Sequence, residues 1–537
     1  MILITKNYIK KKIKKYNDTH SIFIICIFFF SFSLIFFYSL EPGIDQIRHI
    51  SWAKELSDSE YFINFKNINN FKDFFLDRKS LFINLFRTAY FDIGHLFNLF
   101  PVFILYILNL TKIFNIYIFN TFSILFFSLN IYLTYLISKF YLQNFLKKEK
   151  FFFQIVFQLS LVNFYTFFYS PLGVHNLSLF FYLMLFYYLL NNFYSQKKLR
   201  ILNIFIITIM GIFSHKINII LSILSASIFF IIKKEIKFLI RYLFYIFLTL
   251  FPIFLIYLYF PKILSPTIQF AELSWSLKNF FNNFYIWFIK IYTISGSISS
   301  LFFLIGVYYL KKINKNFKIL FIPIFVHLVS SIFVNSFNLY YLRTFLYIAP
   351  FITIISFYGF YNLYQNISLK FIKKILFLLF ILNIFWNYSL IYKNSLNYNK
   401  DTDIINEYFR QNFKIKTSLL NLSKIIANDK IIFFNNVAED YFKTYQYNLY
   451  KKNTLNLKPI SNLNANSYSA ENKIIISSNI VLISITTSES EILQIFERTK
   501  NINYFKSCNL NKESFYKSDV LIDGRYSLYV HRIYCTL

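Results

Sequence analysis

The sequence predicts an α-helical polytopic membrane protein with a small C-terminal α/β domain, and three observations lead there. The 537 residues are 56% hydrophobic and 23% aromatic but only 15% charged, which is not the composition of a water-soluble globular chain. Apolar runs of about twenty residues, each long enough to cross a bilayer as a helix, recur from Ser21 to Tyr392. Lysines and arginines gather in short clusters between those runs, the pattern of cytoplasmic loops. With only 8 glycines and 9 prolines, the chain lacks the turns of a β-barrel.

The first element follows the basic stretch "MILITKNYIKKKIKKYNDTH" and runs apolar from Ser21 to Leu40. A cleaved signal peptide has a shorter core and a small-residue site after it, and "SLEPGID" is a poor one, so an uncleaved first helix with its basic end inside is expected. Further clusters stand at Lys139–Lys150, Lys197–Arg200, Lys233–Arg241, Lys311–Lys318 and Lys370–Lys374. Keeping every cluster in the cytoplasm requires two crossings between neighbours. The runs at 21–40, 113–138, 152–170, 177–194, 201–215, 217–232, 238–259, 284–310, 319–337, 344–362 and 375–393 supply them. The expectation is about eleven transmembrane helices, N-terminus cytoplasmic and C-terminus outside. The run "FNLFPVFILYILNL", 98–111, is short for a span and is expected to lie at the outer interface or to re-enter.

Two domains follow: a multi-pass domain over 1–393, with an outer loop at 41–112, and an extracytoplasmic α/β domain over 394–537. In the latter, "KIIFFN" and "KIIISSNIVLISI" read as strands, and "AEDYFKTYQYNLYKK" and "SEILQIFERTK" as helices. "SDVLIDGRYSLYVHRIYC" reads as a closing hairpin around Asp523-Gly524. No GxGxxG or P-loop occurs. Cys508 and Cys535 either pair, if the tail lies in an oxidising compartment, or remain free thiols. The formal net charge of +31 does not indicate nucleic acid, because the lysines separate apolar runs and no nucleic-acid module is present.

Within this topology, ionisable groups converge at the outer boundary of the hydrocarbon, where they are costly and therefore functional candidates. "GIDQIRHISWAKEL", 43–56, carries Asp45, Arg48 and His49. Asp45 and His49 share one helical face, with Ile47, Ile50, Ala53 and Leu56 as a membrane-facing stripe. His175 sits in "SPLGVHN", His215 and Lys216 in "GIFSHKIN", and Arg343 in "NLYYLRTF". Each has a plainer reading: Asp45 as a helix cap, Arg48 on a solvated face, the histidines as interhelical bridges, Lys216 and Arg343 snorkelling to headgroups. His327, in "FIPIFVHLVSS", reads as a packed or bridging histidine. A carboxylate beside several cations suits lipid-linked sugar phosphates. Arg and Lys neutralise a departing phosphate, and Asp or His takes a proton from an acceptor hydroxyl.

The pattern D-x-x-x-H-x-x-x-A (Asp45, His49, Ala53) in a first outer loop resembles the GT-C superfamily of integral-membrane glycosyltransferases. Those enzymes place an essential acid there and often carry a soluble C-terminal domain on the same face. Residues 173–224, "GVHNLSLFF…GIFSHKINIILSIL", are similar to EpsG- and Wzy-like polysaccharide polymerases. His215 would match that family's histidine, His175 would replace its usual arginine, and Arg343 in "YYLRTFLYIAPF" would match a late arginine. The resemblance implies transfer of a sugar or glycan from a polyprenyl-phosphate or diphosphate donor at the outer face of a bacterial cytoplasmic membrane. Asp45, His49 and His215 would be catalytic, and Arg48, His175, Lys216 and Arg343 would bind substrate. The partners are then the polyprenyl-linked donor, a glycan, lipid or protein acceptor, and membrane lipids. No cofactor is evident and no metal motif is present, although some relatives in the superfamily use a divalent metal. Rival readings are a transporter or flippase of lipid-linked glycans and a structural or sensory membrane protein.

Overall fold

A computed structural model describes residues 22–31, 47, 50–51, 104, 107, 116–148, 151–161, 175–195, 200–215, 217–259, 281–289, 297–313, 317–332, 343–396, 415–455, 460, 480–499, 508–518 and 526–535. The chain divides into two compact units. One contains Met1–Tyr38, Phe65–Pro101 and Ile118–Asn397; the other contains Ser39–Asn64, Val102–Tyr117 and Tyr398–Leu537.

The first unit is helical. Its described helices are α1 (Ile116–Lys148), α2 (Phe151–Ser160), α3 (His175–Ser195), α4 (Ile201–Ser214), α5 (Ile217–Ile232), α6 (Ile236–Tyr259), α7 (Ser297–Ile313), α8 (Phe317–Ile332), α9 (Ala349–Asn366) and α10 (Lys370–Leu396). A 3₁₀ turn, Arg343–Tyr347, leads into α9. Helix α3 lies at the centre: Tyr182, Leu183, Leu185, Phe186, Leu189 and Leu190 are fully buried. Helices α7 and α9 pack at Gly306 and Gly359, where a Cβ on either residue would collide with the backbone of the other helix. Glycine lets two backbones approach this closely.

The expectation of about eleven membrane-crossing helices is corrected here. Among the described residues, one helix, Thr121–Leu142, is long and apolar enough to cross a membrane. Two of the apolar runs form helices too short to cross. α4 has 14 residues and α5 has 16, about 21 and 24 Å at 1.5 Å per residue, short of a core about 30 Å thick.

The second unit contains a five-stranded sheet, order β1-β2-β5-β3, with β4 also on β5. Its elements are α11 (Ile415–Ile425), β1 (Lys430–Phe433), α12 (Asn436–Tyr445), α13 (Tyr447–Asn453), β2 (Ile480–Thr486), α14 (Glu489–Thr499), β3 (Cys508–Leu510), β4 (Tyr516–Lys517) and β5 (Ser527–Cys535). β1 and β2 are parallel, while β2 and β5 pair antiparallel with Leu482 opposite His531. β2 is buried along its whole length, as a central strand covered on both faces must be. One face packs Ile431, Phe433, Val481, Ile483 and Val530 with α11 and α12; the other packs Ile432, Leu482 and Ile533 with α14. Asn435 caps α12 by accepting from the Ala438 N–H at 3.0 Å. Cys508 is disulfide-bonded and stands opposite Cys535 in the ladder, while Cys26 is a free thiol.

Ile47, assigned from sequence to a membrane-facing stripe, belongs instead to the core beside α11 and α12, and Ile50 is fully buried. Ser51 donates a hydrogen bond to the buried Asp440 of α12. Ile47 packs on protein because it meets an apolar helical surface formed by Leu419, Leu422 and Tyr441.

Candidate functional site

The site in the helical unit is built on the first turn of α3, "HNLS". Its polar residues sit at positions 175, 176 and 178, so helical geometry puts 175 and 178 on one face and 176 on another. His175 is buried and its ring lies 4.5 Å from that of His215, centroid to centroid. His215 ends α4 in extended conformation, and its N–H donates to the Gly211 carbonyl at 3.1 Å. The Ile217 N–H donates to His215 Nδ1 at 3.3 Å. Nδ1 is thus an acceptor, so in the neutral ring the proton sits on Nε2.

Ser178 and Asn218 form the second layer. Asn218 Nδ2 donates to Ser178 Oγ at 2.7 Å, to the Ser178 carbonyl at 3.1 Å and to the Gly211 carbonyl at 3.0 Å. Gly211 makes room for this, since a Cβ there would lie 3.1 Å from that amide nitrogen. Tyr347 donates its hydroxyl proton to Ser178 Oγ at 2.7 Å, tying the 3₁₀ turn to α3. The carbonyl oxygen of the Asn218 side chain has no donor among the described residues. On the other side of α3, Asn176 donates to Ser123 of α1, and Asn130 of α1 donates to the Asn176 carbonyl. Further along α3 and α5, Tyr182 and Ser225 share a 3.0 Å hydrogen bond, and Ser222, one turn before Ser225, is also buried.

Sequence reasoning named seven residues. The structure brings His175 and His215 together. It places Arg343 at the start of the turn that carries Tyr347. Asp45, Arg48, His49 and Lys216 lie outside the described residues. Ser178, Asn218 and Tyr347 were missed. A signal was present for Ser178, which follows His175 by three residues in α3, a spacing that shares a helical face. His327 is packed, as its mid-helix position suggested, but it also holds a specific set of partners. Among the described residues, no group of three or more His, Cys, Asp or Glu gathers to hold a metal. The cluster offers two imidazoles for proton transfer, and an amide, a serine and a tyrosine for orienting hydroxyl groups.

The chain matches no protein-family model, no curated protein and no solved structure.

Proposed function

We propose that this chain is a membrane-bound glycosyltransferase that moves a sugar or glycan from a polyprenyl-phosphate or diphosphate donor to an acceptor at the outer face. One observation carries the reading. A cluster of histidine, amide and hydroxyl groups is gathered at α3, α4, α5 and the 3₁₀ turn, in a unit whose outward faces are apolar. Helix α6 exposes Ile236, Ile240, Leu243, Phe244, Phe247 and Phe251, a stripe at helical spacing, and such patches mark contact with lipid or another apolar partner. Polar groups inside and apolar groups outside suit a bilayer.

In this reading His215, partly exposed at the end of α4, exchanges a proton with the acceptor hydroxyl, and His175 beside it stabilises the charge that develops. Asn218, Ser178 and Tyr347 orient sugar hydroxyls. Arg343 and Lys216 neutralise the departing phosphate, and Asp45 is the base candidate from the sequence. The disulfide at Cys508 supports an oxidising compartment for the second unit. A second reading, transport of a lipid-linked glycan, draws on buried Ser222, Ser225 and Tyr182, which continue the polar layer into the bundle.

The test is transfer from a synthetic polyprenyl-linked sugar by the full chain in lipid nanodiscs. His215→Ala and Asp45→Asn are each expected to lower turnover by about 10²–10⁴-fold, the usual effect of losing a positioned acid or base. Undiminished turnover in both variants would overturn the assignment. Turnover absent in the native protein, with glycan-dependent lipid flipping present, would favour transport.

A further inference from the structure

His327 lies in α8 and is fully buried. Trp287 Nε1 donates to His327 Nδ1 at 3.0 Å. An indole nitrogen only donates, so Nδ1 accepts, and the neutral ring carries its proton on Nε2. That nitrogen lies 2.7 Å from Thr344 Oγ1. The bond therefore runs from His327 to Thr344, the second residue of the 3₁₀ turn. Phe345, the next residue, sets its ring edge-to-face with the imidazole at 4.7 Å. At the far end of the same turn, Tyr347 binds Ser178 in the histidine cluster. The turn is buried from Thr344 onward and leads directly into α9.

We propose that His327 is a positioning residue: with its tautomer set by Trp287, it clamps the 343–347 turn, and so holds Tyr347 against the Ser178–Asn218 pair and fixes the backbone that carries Arg343. The turn has a hydrogen-bonded anchor at each end, one in α8 and one in α3. A five-residue 3₁₀ segment has poor hydrogen-bond geometry of its own and depends on such anchors. A glutamine can replace the Nε2–H donor, whereas leucine removes it while filling similar space. The part of the proposal that concerns Arg343 rests on the glycosyltransferase reading; the clamp itself does not.

Two measurements on the full chain in nanodiscs separate these. Hydrogen exchange of the 343–348 amides reads the clamp. His327→Leu should accelerate exchange there while leaving the α3 amides at the native rate, and His327→Gln should restore protection. Binding of a polyprenyl phosphate reads the consequence. His327→Leu should weaken it about 10-fold, well within the ~10²-fold that a 1 Å misplacement can cost. Combining His327→Leu with Arg343→Ala should add little to Arg343→Ala alone, because both act through one group. Unchanged exchange at 343–348, or a loss of protection spread evenly over the bundle, overturns the clamp. Native protection behaviour as expected, with no polyprenyl phosphate binding by the native chain, keeps the clamp and removes the glycosyltransferase reading.

Discussion

Helix α6 and strand β2 are both made of branched and aromatic apolar residues, yet they bury different things. β2, "IVLISIT", is covered along its whole length. α6 leaves Ile236, Ile240, Phe244, Phe247 and Leu248 open. Both units also bury polar groups. In the helical unit Asn130, Asn176, Ser178 and Asn218 are buried and hydrogen-bonded between helices. In the sheet-containing unit Asp440, Lys443, Ser484 and His531 are buried beside two apolar clusters. The two elements thus differ in how much of their apolar surface their own unit covers: all of β2, and one side of α6.

The largest expected effect tests whether the second unit is held by an ordinary core that includes its early segment. Ile47→Ala removes a fully buried side chain and should cost about 2–5 kcal/mol, read as a lower urea midpoint for proteolytic release of the 415–535 region. A midpoint at the native value would detach residues 47–51 from that core.

A smaller effect is expected in the bundle. Gly359→Ala places a methyl group against the backbone of α7 at Phe302 and Gly306. Overpacking of this kind costs about 1–3 kcal/mol and should lower the detergent-induced unfolding midpoint in lipid. If the variant tolerates alanine, the two helices are not held by close backbone contact.

The smallest effect concerns pH and belongs to the sheet-containing unit. Burial lowers the affinity of His531 for protons below its ordinary value of 6.5; the Asn511 carbonyl and Glu489 pull it back only in part. Nδ1 faces that carbonyl at 3.0 Å, so the neutral ring carries its proton on Nδ1, and Nε2 lies 3.5 Å from Glu489. Below 6.5 the unfolded chain binds the proton more readily than the folded one. The stability contributed by the neutral ring is therefore full near neutrality and declines as pH falls through that value. The urea midpoint of the native protein should drop on acidification, and His531→Gln should flatten the drop. An equal drop in the variant assigns the pH dependence elsewhere.

Some of the fold and of the site is legible in the amino-acid sequence alone. The strands of the second unit announce themselves as branched runs, "KIIFFN" and "KIIISSNIVLISI": β1 lies within the first, and β2 begins in the second and ends one residue past it, while 473–479 lie outside the described residues. His175 and His215 are legible as polar residues interrupting apolar runs. The number of spans is not legible, because an apolar run does not fix the length of its helix: the runs at 201–215 and 217–232 form helices of 14 and 16 residues. Ser178 and Asn218 escape notice because a serine or asparagine beside a histidine is ordinary in composition. Their importance comes from meeting across α3 and α5, with Gly211 leaving the space.

The sequence by itself determined that most of this chain is apolar, that its cations lie between apolar runs, and that the last part is of mixed α/β character. These are properties of composition and local periodicity, which each segment carries alone. Only the tertiary structure decided that the Ile47 face packs on protein, that His327 reaches Thr344 and Trp287, and that the turn at 343–347 joins α8 to α3. Those contacts span from 17 to 389 residues of chain. No local preference specifies them; they follow from which faces can be buried together.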